Sequence, residues 1–156
     1  MDTTQEPLNS FSWIRYRWEI GYTRPEYRGT TEITIEAHRD KPAKIIVKRM
    51  HFKSPWQKSR LITKEELLHL RHAFASSTLQ LNDMPGVVCD GSTDGLSILG
   101  HDGWAFELGG YCISRTQNMQ AFFDALGALS EPLLDTLNQK IKDKLVAEGN
   151  YDEFYG

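Results

Sequence analysis

Between Trp13 and Tyr22 apolar and polar side chains alternate without a break. Ile14, Tyr16, Trp18, Ile20 and Tyr22 fall on one side of an extended chain, and Arg15, Arg17 and Glu19 on the other. Period-two alternation in β-branched and aromatic residues predicts a strand with one buried face. A loop containing Pro25 and Gly29 follows. Thr31 to His38 then repeats the pattern, with Ile33, Ile35 and Ala37 inward and Glu32, Thr34, Glu36 and His38 outward. Asp40-Lys41-Pro42 reads as a tight turn, and Ala43 to Phe52 as a third strand. Three consecutive strands joined by short connections imply an antiparallel meander with one wet face.

The pattern then changes period. Lys53 to Arg60 (KSPWQKSR) reads as a loop, and a helix start follows it. Thr63 and Glu66 have the spacing of a capping box, and Ile62 before the cap can staple onto Leu67 within it. Leu67, Leu70 and Phe74 form the apolar stripe of a helix over about 64 to 78. Asn82 to Gly86 ends that unit. From Val87 to about Ser114, Asp90-Gly91, Asp94-Gly95 and Asp102-Gly103 supply turn chemistry. The strands expected there are Leu96–Leu99, Trp104–Leu108 and Tyr111–Ser114, with His101-Asp102 at a hairpin tip. Asn118 can cap a helix carrying Met119, Phe122, Phe123 and Leu126. Ser130-Glu131-Pro132 is expected to restart or bend it, because proline is tolerated in a first turn. Leu133, Leu137, Ile141 and Leu145 carry the last helix to Gly149. The order βββ–α–βββ–αα predicts one α+β domain over 1–156: an antiparallel sheet of about six strands with helices packed on one side, and loose tails at 1–10 and 150–156.

Composition narrows the class. With 40% apolar and 25% charged residues in 156, the chain has the make-up of a folded domain, not of a disordered or disulfide-framework one. The opening decapeptide (MDTTQEPLNS) lacks the basic and apolar regions of a secretory signal, and no apolar run reaches spanning length. Cys89 and Cys112 are the only thiols. The expected location is the cytoplasm with both reduced; the alternative is a mature periplasmic form with one disulfide. Whether the two are paired is not fixed by their spacing.

Candidate chemistry is sparse. Glu66, His69 and His72 share a helical face, but Glu66 is already used by the capping box, and carboxylate metal sites need such a motif from two helices. Cys89, His101 and Cys112 match no close zinc knuckle. Gly91 to Gly95 lacks the Lys-Ser/Thr of a phosphate-binding loop. No metal and no cofactor are therefore expected. His101-Asp102 could orient a general base, which gives one alternative function, a small hydrolase-like enzyme.

Charge layout is more informative than its sum. The net charge is −3, yet residues 1–60 hold 12 Lys+Arg and 7 Asp+Glu, whereas residues 61–156 hold 6 and 14. Residues 82–107 contain five acids (Asp83, Asp90, Asp94, Asp102, Glu107) and no base. A basic sheet bearing Arg15, Arg17, Lys44, Lys48, Arg49 and Lys53 suggests a second alternative, a single-stranded nucleic-acid binder. Against it, the first strand's inward aromatics lie opposite its arginines, and Glu19, Glu32 and Glu36 dilute the basic strip. The two halves could also neutralise each other across the sheet. The leading expectation is a non-catalytic protein-binding module. Asp90, Asp94, Asp102 and Glu107 would give charge complementarity, and Trp104 or Trp56 a buried anchor.

In its acidic Asp-Gly turns (Cys89-Asp90-Gly91-Ser92-Thr93, then Gly103-Trp104-Ala105-Phe106-Glu107-Leu108) and α+β character, the chain resembles the bacterial immunity proteins that neutralise secreted antibacterial toxins. That resemblance implies stoichiometric binding to a cognate toxin whose active cleft is blocked by acidic side chains and aromatic anchors. It further implies a toxin with a basic surface or one acting on nucleotides or nucleic acid in the cytoplasm, and no membrane partner.

Overall fold

The structure is a computed structural model that describes residues 10–20, 23–51, 54–77, 92–110 and 117–151. Strands β1 (Phe11–Ile20), β2 (Gly29–Glu36), β3 (Lys44–His51) and β4 (Ser54–Leu61) form a meander interrupted by a 3-10 turn at Pro25–Tyr27. Helix α1 (Lys64–Ala75), the hairpin β5 (Ser92–Gly100) and β6 (Ala105–Gly110), and helix α2 (Gln120–Ala147) follow. The six strands make one antiparallel sheet in the order β4-β3-β2-β1-β5-β6. This is the expected α+β class.

Alternation sets which face is covered. Ile14 and Tyr16 in β1 pair with Ile35 and Ile33 in β2 and with Ile98 and Leu96 in β5. Ile45 and Val47 continue the same layer into β3, and all are buried. On this layer lie Leu70 and Ala73 of α1 and a stripe along α2 that includes Phe122, Leu126, Leu129, Leu133, Leu137 and Ile141, forming one core. An aromatic cluster, with Phe74 against Phe11, Phe122 and Trp104, joins α1 and α2 to the sheet.

The start of α1 and the end of α2 carry their expected signals, whereas Asn118, expected to cap, lies inside a 3-10 turn (Gln117–Met119), and Met119 at the start of α2 makes no side-chain cap bond. Thr63 Oγ1 accepts from the Glu66 N–H at 3.2 Å, and Glu66 Oε1 accepts from the Thr63 N–H at 3.0 Å. Arg60 grips the same carboxylate with two donors at 2.9 and 2.8 Å, and these bonds hold its pKa down at about 2. At the far end of α2, the Gly149 N–H donates to Val146 and the Asn150 N–H to Leu145. Gly149 has φ +73°, the left-handed backbone this Schellman closure requires.

Three segments depart from expectation. Asp94-Gly95, read as a turn, lies within β5, paired to β1 on one side and β6 on the other. Lys53–Arg60 was expected to be a loop, but Ser54–Leu61 is edge strand β4. An edge strand needs no apolar run. Its covered side is filled by Trp56 and the side chains of Lys58 and Arg60, whose long stems suit a half-wet position. The expected restart at Pro132 does not occur, and α2 runs as one helix of 28 residues. Pro132 and Ala128 are both exposed, so the carbonyl that loses its helical donor lies on the solvent side of the helix. The expected strand Tyr111–Ser114, together with Cys89 and Cys112, lies outside the described residues. So do Tyr22, residues 1–9 and residues 152–156. Among the described residues no helix is long and apolar enough to cross a membrane.

Candidate functional site

The helices cover one face of the sheet, and among the described residues no element covers the other. Outward positions on the open face fall into rows fixed by the strand register. One row runs Leu61, Lys44, Glu36, Trp13, Leu99, Ala105. The next runs Ser59, Ile46, Thr34, Arg15, Ser97, Glu107. Trp13 and Leu99 are thus cross-strand neighbours, and Leu99 is 45% exposed. The Arg15 guanidinium lies 5.5 Å from the centre of the Trp13 ring. At the corner made by β1, β5 and β6, an apolar spot is therefore flanked by one cation and by the exposed carboxylate of Glu107.

Charges on this face are interleaved. Glu36 lies opposite Lys44, and Glu32 has Lys48 on one side and Arg17 on the other. Arg15, Arg17, Lys44 and Lys48 are balanced by Glu19, Glu32, Glu36 and Glu107. The column of glutamates on β2 splits the basic strip that a nucleic-acid backbone would follow.

The residues singled out from sequence do not gather on one surface. Asp94 is 7% exposed, on the covered side, and accepts from the Tyr16 hydroxyl at 2.7 Å. Its carboxylate is thus a buried acceptor and not a surface charge. Asp90 lies outside the described residues. Asp102 is exposed in the β5–β6 turn, three residues from Leu99 and three from Ala105 in the chain, so it and Glu107 border the Trp13 corner. Trp104 turns inward and stacks on Phe74 with ring centres 6.0 Å apart. Its indole sits where a side chain on Gly100 would lie, with a Cβ there 1.9 Å from Nε1. Trp104 therefore anchors the hairpin to the core. Trp56 belongs to β4, the opposite edge of the sheet, about 24 Å away at five strand spacings.

His101 and Asp102 are separated in role. Arg71 is buried and its Nη2 lies 3.3 Å from His101 Nε2, while also donating to the Phe11 and Ala37 carbonyls. A guanidinium only donates, so Nε2 is the acceptor and is occupied. Among the described residues no three His, Cys, Asp or Glu side chains are grouped so as to hold a metal ion.

Two features were not singled out from the sequence. Arg49 sits on the covered face of β3 at 1% exposure. It donates to Asn138 Oδ1 at 2.9 Å, to Thr31 Oγ1 at 3.0 Å, and to the Glu26 and Arg28 carbonyls at 2.8 and 2.7 Å. Burial lowers its pKa to about 10, so it stays charged at neutral pH. Two residues on, His51 Nε2 lies 2.7 Å from the Pro25 carbonyl, which can only accept, so Nε2 carries the proton. Burial lowers the His51 pKa, with Arg49, Arg28 and Lys144 adding to the effect and the Pro25 bond opposing it. Both share the parity of Ala43, Ile45 and Val47, the signal that could have placed them inside, but no motif marks either position. Arg49 reads as one more surface base until the register puts it inside.

The chain matches no protein-family model, and no curated protein matches it. Fold and surface together define an α+β protein with a half-covered antiparallel sheet.

Proposed function

We propose that this chain is a non-catalytic protein-binding module that docks a partner protein on the open face of its sheet, centred on Trp13 and Leu99. The observation that carries the reading is the outward pairing of Trp13 with Leu99, flanked by Arg15 and Glu107. Tryptophan and arginine are the residue types that dominate binding hot spots. A flat sheet face presents them at little ordering cost, because the strands beneath are already fixed. The partner that fits offers an apolar knob to Trp13 and Leu99, a base to Glu107 and Asp102, and an acid to Arg15. Neutralisation of a cognate bacterial toxin is the concrete form we favour, in keeping with the sequence character. Of the acids expected from sequence to give charge complementarity, Asp102 and Glu107 border this surface in our reading, and Trp13 takes the anchoring role expected of Trp104 or Trp56.

Co-expression with the products of neighbouring reading frames should yield a stoichiometric complex and relieve any growth arrest the partner causes. Trp13→Ala and Leu99→Asp should each weaken that complex about 10- to 100-fold, a loss of roughly 1.4–2.8 kcal/mol, with the melting curve of the free chain unchanged. Asp102→Lys with Glu107→Lys should slow association at low salt. Unchanged affinity in a folded Trp13→Ala, Leu99→Asp double variant would overturn the assignment of the surface.

A further inference from the structure

Diagonal to Trp13 and Leu99, the Pro25–Tyr27 turn, the facing ends of β3 and β4 and the last turns of α2 enclose a cleft of about 310 Å³. Pro25, Trp56, Ile141 and Leu145 give it apolar walls, and Arg28, His51 and Lys144 line the remainder. We propose that this cleft binds a small organic anion: a carboxylate or a phosphate ester attached to a flat apolar body.

Its volume is at the lower end of the ligand-site range, enough for a ring and an acid group. The basic residues come from three separate segments, so their meeting is a product of the fold and not of a basic run in the sequence. His51 registers the field they make, since Arg49, Arg28 and Lys144 all disfavour its protonation. Arg49 adds a charge that water cannot screen, and its hydrogen bonds go to neutral acceptors. Among the described residues the one carboxylate lining the cleft, Glu148, has an oxygen 3.9 Å from Lys144 Nζ. That is beyond hydrogen-bond reach, so the ammonium keeps donors for another oxygen. A helix C-terminus would ordinarily repel an anion. Here the Gly149 and Asn150 N–H groups already occupy carbonyls of the last turn. The Trp56 ring, with Lys144 Nζ 5.6 Å from its centre, offers a flat wall to an aromatic body.

Titration of the intact chain with phenyl phosphate and, separately, with benzoate, followed by amide and indole NMR signals, tests this. Saturable shifts at Ser54 and Trp56 are expected, with a dissociation constant of about 1 mM or tighter for at least one acid. The tighter of the two assigns the head group. Phenol, the same ring without the charge, should not bind. Arg28→Gln and Lys144→Gln should each weaken binding about three- to tenfold, whereas Leu99→Asp should leave it unchanged. Absence of saturation by either acid at about 20 mM, equal binding of phenol, or unaltered affinity in a folded Arg28→Gln, Lys144→Gln variant would each overturn the proposal. The cleft and the Trp13 surface are separate, so failure of one leaves the other standing.

Discussion

His51 is a base held where a proton is unwelcome. Its native pKa lies below the ordinary 6.5, chiefly because the ring is buried, so the folded state prefers the neutral form. The unfolded chain takes up its proton as pH falls past 6.5 while the folded chain resists, so stability present above 6.5 is lost as pH falls through the native value. Between about pH 7 and pH 5 the wild type should therefore lose more stability than His51→Gln, in which the amide can still donate to Pro25. Urea melts across that range decide the matter, and parallel profiles would rule out the assignment. Glu66 does not confuse the reading. Its native value of about 2 and ordinary value of 4.5 put its contribution, the Arg60 pair and the capping box, in the window below about pH 4.5. The Glu66 cap was legible in the chain because all its partners are within six residues. His51 was not, since its environment is assembled from Pro25, Arg28 and Lys144.

Gly100 and Trp104 close the β5–β6 hairpin as a unit. The indole can lie on the strand only because position 100 has no side chain. Gly100→Ala should cost about 2–3 kcal/mol in the wild type, and far less once Trp104→Ala has removed the ring. The coupling expected from the double-mutant cycle is about 1–3 kcal/mol. Equal costs in both backgrounds would show that something other than the close approach demands glycine. Elements with a single apolar face, β1 to β3 and both helices, were readable from period alone. The edge strand β4 was not, because its inward side is only half-buried and its outward side is exposed, so it needs no apolar stripe. Pro132 misled for a related reason. The rule against interior proline assumes an enclosed turn, and this turn of α2 faces solvent.

The interleaving of charge on the uncovered sheet face is set by strand register, which a linear reading cannot supply. Glu32, set between Lys48 and Arg17, is the centre of that balance. Glu32→Lys would place three cations abreast and should lower stability by about 1 kcal/mol at low ionic strength. The loss should shrink in about 0.5 M salt, and thermal melts at two salt concentrations would show it. A loss that ignores salt would mean that packing, not charge, sets the cost. The surface we propose for docking was hidden for the same reason: Trp13 meets Leu99 only after β1 is laid between β2 and β5. Arg49 carries one more consequence, for the order of events at the ribosome. Its acceptors in β2 and the Pro25–Tyr27 turn are made early, but Asn138 is 89 residues downstream. The same late helix supplies the longest apolar stripe over the sheet, α1 covering the rest. A growing chain thus holds six strands with a partly covered apolar face and an incompletely bonded guanidinium until α2 emerges. Premature termination before α2 would release a strand-rich fragment with only other fragments to cover it.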